Sequence, residues 1–288
     1  LVQGQALAKK FPSSPSINSI IGAIHSGLGN HDEAIAFYNR VLRLKPGYAE
    51  GYSNLGVALK KTGRTEKSAK CFKKAIGLKP NNSELYVNLG NIFNELGNYP
   101  DAIGFYEKAI KLSPNYAEAC YSLGSVLSQL NRNTESIYFS KKTICLKPDY
   151  ALSYNNLVSP LREIGSVQKA IDILKKGIKI SPTDSILNRN LGMLLLEQNN
   201  FSEAAESFKL CDTEKSQSYL LRCLYNQDKK SLFYELLNTL VKKNVSNSTV
   251  GSLACQAAIR YGKITPNLFC KDPISYVVST DLNVICDL

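Results

Sequence analysis

Prolines 12, 46, 80, 114, 148 and 182 stand 34 residues apart, and this spacing constrains the fold more than any other feature of the 288-residue chain. Gly22, Gly56, Gly90, Gly124 and Gly192 fall on the same lattice, with Val158 in the one remaining place. Ile21, Leu55, Leu89, Leu123, Leu157 and Leu191 precede them. A later set reads Ala34, Ser68, Ala102, Ser136, Ala170 and Ala204, and the next reads Tyr38, Phe72, Tyr106, Ser140, Leu174 and Phe208. A period of this length marks stacked supersecondary units that cannot bury their apolar faces alone. Within each unit the spacing predicts two helices, A and B. On helix A, positions 4, 7, 8 and 11 share one face at ~100° per residue. Glycine at position 8 lets helix B approach, small residues at position 20 and aromatic ones at 24 fill the contact, and the repeat-end proline cannot continue helix B. Gly29, Gly63, Gly97 and Gly165, with Asn131 and Asn199, occupy the left-handed position that ends helix A.

The pattern resembles the tetratricopeptide repeat, most closely over 83–116, SELYVNLGNIFNELGNYPDAIGFYEKAIKLSPNY. The resemblance implies an all-α, right-handed superhelix, an α-solenoid of antiparallel helix pairs with a concave inner wall. Full repeats are expected at 15–48, 49–82, 83–116, 117–150 and 151–184, with a degenerate one at 185–214 and a partial one in residues 1–14. Pro160 falls inside helix A of the fifth repeat, where proline costs ~3 kcal/mol or kinks the helix. Asp212, Glu214 and Ser216 replace the apolar, apolar and proline of the lattice, so regular stacking is expected to stop there. Helical patterns at 217–226, 229–243 and 248–261 predict a C-terminal helical cap over 215–262. Residues 263–288 read as a linker or the start of a further domain, with an extended run at Val277–Thr280, and the chain reads as truncated at both ends.

Composition removes several functions. The two histidines, His25 and His31, lie six residues apart with no carboxylate in ligand spacing, so a two-histidine, one-carboxylate iron site is not expected. No phosphate loop or nucleophile elbow occurs. No catalytic residue, cofactor or metal is expected in this segment. The eight cysteines are scattered singly, which reads as thiols in a reducing cytoplasm rather than a zinc or disulfide framework. No apolar run is long enough to span a membrane. The net charge of +11 comes largely from lysines at positions 25, 26 and 31, a solvated outer face. Nucleic acid is not the expected partner, because the aromatic residues sit on core positions rather than among the charges.

The expected partner is a protein or an extended peptide on the inner wall. Position 6 of helix A, about 150° from the core direction, reads Ile20, Asn54, Asn88, Ser122, Asn156 and Asn190. A side-chain amide both donates and accepts, so each rung can pair with a peptide backbone. Asn91 and Asn94 add to the same face. The ladder resembles the asparagine ladder of the repeat domain of O-linked N-acetylglucosamine transferase. Position 5 carries only one basic residue, Arg189, so a clamp for C-terminal carboxylates is not expected. The tail, AAIRYGKITPNLFCKDPISYVVSTDL, resembles the junction between such repeats and a 2-oxoglutarate/iron(II) oxygenase domain. That resemblance implies an alternative role as the recognition arm of a larger enzyme, an oxygenase or a glycosyltransferase.

Overall fold

The computed structural model describes residues 11–243, 245 and 248–263. Every regular element among them is a helix. The chain divides into two compact units, residues 1–148 and 149–288.

The first unit holds four helix pairs: α1 (Pro15–Gly27) with α2 (His31–Leu44), α3 (Ala49–Lys61) with α4 (Thr65–Leu78), α5 (Ser83–Glu95) with α6 (Tyr99–Leu112), and α7 (Ala117–Gln129) with α8 (Asn133–Leu146). Three of these helices begin at a side-chain N-cap. Ser14 accepts from the Ile17 amide, and Asn82 from the amides of Glu84 and Leu85, so the orphan donors of the first turn are satisfied. Each helix A ends in a left-handed residue: φ is +79° at Gly29, +73° at Gly63, +74° at Gly97 and +55° at Asn131.

The pairs close through the glycines at position 8. A Cβ on Gly22 would lie 2.7 Å from the Tyr38 ring, one on Gly56 2.9 Å from Phe72, and one on Gly90 2.6 Å from Tyr106. Where position 24 is the small Ser140, a Cβ on the opposing Gly124 would still meet the serine Oγ at 2.9 Å and the serine backbone nitrogen at 3.4 Å. The serines at position 20 fasten the same contact. Ser68 Oγ donates to the Gly56 carbonyl at 2.6 Å and Ser136 Oγ to that of Gly124 at 2.8 Å, both buried. A backbone carbonyl exposed by the missing side chain thus finds a partner.

The second unit contains α9 (Ala151–Asn155), α10 (Val158–Glu163), α11 (Val167–Ile180), α12 (Ser185–Glu197), α13 (Phe201–Lys209), α14 (Glu214–Asn226), α15 (Lys230–Lys242) and α16 (Ser248–Tyr261). The kink expected from Pro160 is a two-residue break: α9 stops at Asn155 and α10 starts at Val158, while Asn156 and Leu157 between them keep right-handed helical angles. Proline supplies no N–H for the carbonyl four residues earlier and its ring collides with that carbonyl, which belongs to Asn156.

The helical cap has a repeat register of its own. Helix α13 has nine residues where α11 has fourteen, so α14 begins at Glu214, three residues before the expected 217. From Glu214 the 34-residue interval resumes, and α16 starts at Ser248. The left-handed terminators follow it, Asp228 at φ +58° and Gly262 at φ +68°. The expected stop in stacking is therefore a five-residue phase shift. A core of Leu221, Phe233, Leu237, Leu240, Val250 and Leu253 closes this part. The expected strand at Val277–Thr280 and the oxygenase-junction tail beyond Lys263 lie outside the described residues.

Candidate functional site

Helix-A wall

Consecutive A helices of the first unit lie side by side, and a salt bridge of 2.7 Å joins Lys60 on α3 to Glu95 on α5. Asn54, Asn88 and Ser122 occupy the same turn of α3, α5 and α7, and all three are half-buried. The amides of Asn54 and Asn88 have no hydrogen-bond partner among the described residues. Ser122 differs. Its hydroxyl donates at 3.4 Å to Asn91 Oδ1, which also accepts from the Tyr106 hydroxyl at 2.7 Å. Burial raises the Tyr106 pKa strongly, so this ring is a neutral donor at any ordinary pH. Asn91 is thus held from within the fold, with its Nδ2 still available. Asn94 lies one helical turn further along α5, and its Oδ1 is buried with no partner, closed to any bound chain. Ile20, the first place in the ladder, is 60% exposed and apolar.

In the second unit the amides are spent differently. Asn190 Nδ2 donates to Asn155 Oδ1. Asn156 caps α9 at the interruption, with φ −65° and ψ −17°, rather than standing mid-helix as a rung. Beside it lies an open hollow of about 220 Å³ lined by Asn155, Ser159, Arg162, Asn190 and Met193. The salt bridge between Arg162 and Glu197, 3.4 Å, repeats the Lys60–Glu95 pairing at the same repeat positions.

Other groups

His25 is 4% exposed and stacks on Phe37 with ring centroids 5.4 Å apart, and both ring nitrogens lack a partner. No three His, Cys, Asp or Glu side chains gather in metal-binding geometry among the described residues. No described helix is long and apolar enough to cross a membrane. The outer lysines are more varied than a uniformly solvated face. Lys79 pairs with Glu50, and Lys147 with Glu118 at 3.3 Å. Lys73 lies over the Phe93 ring at 5.3 Å and Lys74 over Tyr52 at 5.4 Å.

Comparisons

A TPR repeat model matches residues 22–63 and 90–131, and tetratricopeptide repeat models match 49–82 and 71–104. No curated protein sequence matches the chain. Among solved structures, MamA is similar at 27% identity and a TM-score of 0.52, over 59% of this chain and 92% of that one. YrrB, described as a TPR protein with an unusual peptide-binding site, is similar at 20% identity and 0.52, over 68% of this chain and 97% of that one. PilF of Pseudomonas aeruginosa is similar at 15% identity and 0.63, over 72% and 97%. At these last two identities the likeness is one of fold alone. With the 34-residue helix pairs, the packing glycines and the left-handed terminators already in place, these matches establish that the chain carries tetratricopeptide repeats over residues 22–131.

Proposed function

We propose that the chain is a protein-interaction scaffold whose first unit holds an extended segment of a partner along the helix-A wall. The observation that carries this reading is the pair of half-buried amides, Asn54 and Asn88, without internal partners on neighbouring helices. Their polar atoms stay open to solvent, so an incoming backbone can bond them without breaking a bond inside the fold. An amide presents one acceptor and two donors, which matches the alternating N–H and C=O of an extended backbone. Such recognition needs little from the partner's side chains. Ser122 and Asn91 form the third rung, with the Asn91 Nδ2 facing the ligand and its oxygen anchored by Tyr106. In the second unit Asn190 already donates to Asn155 Oδ1 and Asn156 stands at the break between α9 and α10, so Asn156 and Asn190 have a secondary role in binding.

The test is a binding titration of a captured partner peptide with the variant Asn54→Ala/Asn88→Ala. Two to four lost hydrogen bonds at ~0.5–1.5 kcal/mol each lower the affinity by roughly fivefold or more. Equal affinity at equal helicity sinks the proposal.

A further inference from the structure

A second surface lies on the other side of the first unit. Helices α2 and α4 flank an open groove floored by α3. Two adjoining hollows of about 310 and 420 Å³ share Asn39, Leu55, Lys70 and Cys71. The floor is apolar: half-buried Leu42 from α2, with Ile35 of α2 and Leu55 and Leu59 of α3, each 6–8% exposed. The rim is cationic. Arg43 stands on one side, and Lys67, Lys70 and Lys74 on the other, at a spacing that keeps them on one face of α4. Among the lining residues the only ion-paired one is Arg64, bound to Asp32 at 2.7 Å. Arg43, Lys67, Lys70 and Lys74 have no carboxylate partner among the described residues.

This cluster is peculiar to one repeat. Where α4 has Lys67, Lys70 and Lys74, α6 has Asp101, Gly104 and Lys108 at the equivalent places, and α8 has Glu135, Tyr138 and Lys142. Five lysines elsewhere among the described residues are matched with glutamates, Lys79–Glu50, Lys147–Glu118 and Lys175–Glu203 among them, and none of the others is gathered with three more cations around one apolar hollow. Like charges gathered without counter-charges raise the local potential and are unfavourable until an anion arrives. Nucleic acid would meet few rings to stack on. The one aromatic in the lining, Tyr52, is already covered by Lys74. An aliphatic floor under a cationic rim instead complements a segment with apolar anchors and carboxylates.

We infer that the α2–α4 groove docks an acidic segment of a partner protein, with Leu-type side chains seated over Leu42, Leu55 and Leu59 and Asp or Glu facing Arg43, Lys70 and Lys74. This site is separate from the amide wall and does not depend on it. The experiment selects random 14-residue peptides against the whole chain with the amide wall removed by Asn54→Ala/Asn88→Ala, and then measures the survivors on the variant R43E/K70E/K74E. These three rim positions are solvent-exposed, so the variant keeps its helicity by circular dichroism. The surviving peptides are expected to be net negative with apolar residues at helical spacing. By fluorescence anisotropy one such peptide binds the reversed variant at least tenfold more weakly. The same peptide binds K108E/K141E/K176E, of equal charge change, and Asn54→Ala/Asn88→Ala within twofold of the unaltered protein. Replacing its apolar residues with Ser abolishes binding. Neutral or basic survivors, binding unchanged by the rim reversal, or displacement of the peptide by an equal concentration of single-stranded oligodeoxythymidylate each overturn the inference.

Discussion

Gly90→Ala isolates the contact on which the helix pairs depend. The added Cβ would sit 2.6 Å from Tyr106 Cε1 and 2.8 Å from Cδ1, against an ordinary carbon–carbon separation of ~3.5–4.0 Å. One of the two helices must therefore move by about 1 Å. The ring cannot swing aside cheaply. Tyr106 is fully buried, and its hydroxyl donates to Asn91 Oδ1 at 2.7 Å. Overpacking of this kind costs ~1–3 kcal/mol. Replacing glycine by alanine inside a helix returns ~0.5–1 kcal/mol. The packing term wins, for a net loss of about 1 kcal/mol at the middle of these ranges and up to ~2.5 kcal/mol. In thermal unfolding followed at 222 nm, a chain of this size loses about 2–4 °C per kcal/mol. Gly104→Ala is the matched control, since that glycine lies inside α6 with nothing within 4 Å of a Cβ. It should gain ~0.5–1 kcal/mol. A Gly90→Ala protein as stable as the Gly104→Ala protein would refute the packing argument. The pair Gly90→Val/Tyr106→Leu, which copies Val158 and Leu174 of the fifth repeat, should lose less than its singles summed, with a coupling of about 1 kcal/mol.

Asn91→Ala should lower stability by ~1–2 kcal/mol, because it strands the buried Tyr106 hydroxyl, while Asn54→Ala and Asn88→Ala leave the melting curve unchanged. Pro160→Ala restores a donor toward the Asn156 carbonyl, so helicity and melting temperature should both rise, by up to ~3 kcal/mol. A lower melting temperature would show that the interruption is held by packing instead. Burial pushes the Cys223 thiol up to about 11. The folded state keeps the proton longer than the unfolded chain, so this term is fully present below the ordinary thiol pKa and is lost as pH rises toward 11, worth about 3 kcal/mol. Melting between pH 8 and 11 should fall less steeply for Cys223→Ala than for the unaltered protein. At pH 8 a thiol reagent followed by peptide mass mapping should modify exposed Cys145 and spare Cys223 and Cys120.

The parts of this fold that are legible in the sequence are those set by contacts inside one repeat. Gly90 against Tyr106, and Gly192 against Phe208, need only each other, so the pairing recurs at a fixed offset and can be read off. Gly63 and Asn131 are visible because a left-handed backbone restricts the residue type. Asp228 serves the same role but is a less usual choice there, and five residues are absent from α13, so the continued register past Lys209 escapes a search at constant period. The Gly262 terminator, 34 residues beyond Asp228, was the available signal. The interruption at Asn156 follows from Pro160 by simple counting. What the position-6 ladder could not reveal is which amides are already engaged. That depends on neighbours in the adjacent repeat: Ser122 reaching Asn91, and Asn190 reaching Asn155, across sequence separations of 31 and 35 residues. The outer lysines posed the same problem, since Lys67, Lys70 and Lys74 gain meaning only beside Arg43 of α2.

The exchange of volume between positions 8 and 24 bears on how such an array can be assembled from copies. Gly90 tolerates Tyr106 because nothing projects from it, whereas the fifth repeat places Val158 opposite a Leu174 position and the fourth pairs Gly124 with Ser140. A crossover between the two helices of different repeats would set valine against tyrosine, or leave glycine facing a vacancy. A crossover at the proline that closes each repeat would keep both partners together. The recombinable module is therefore the whole 34-residue pair, and chimeras spliced at Pro46, Pro80 or Pro114 should be more stable than one that joins helix A of the fifth repeat to helix B of the third and sets Val158 against Tyr106.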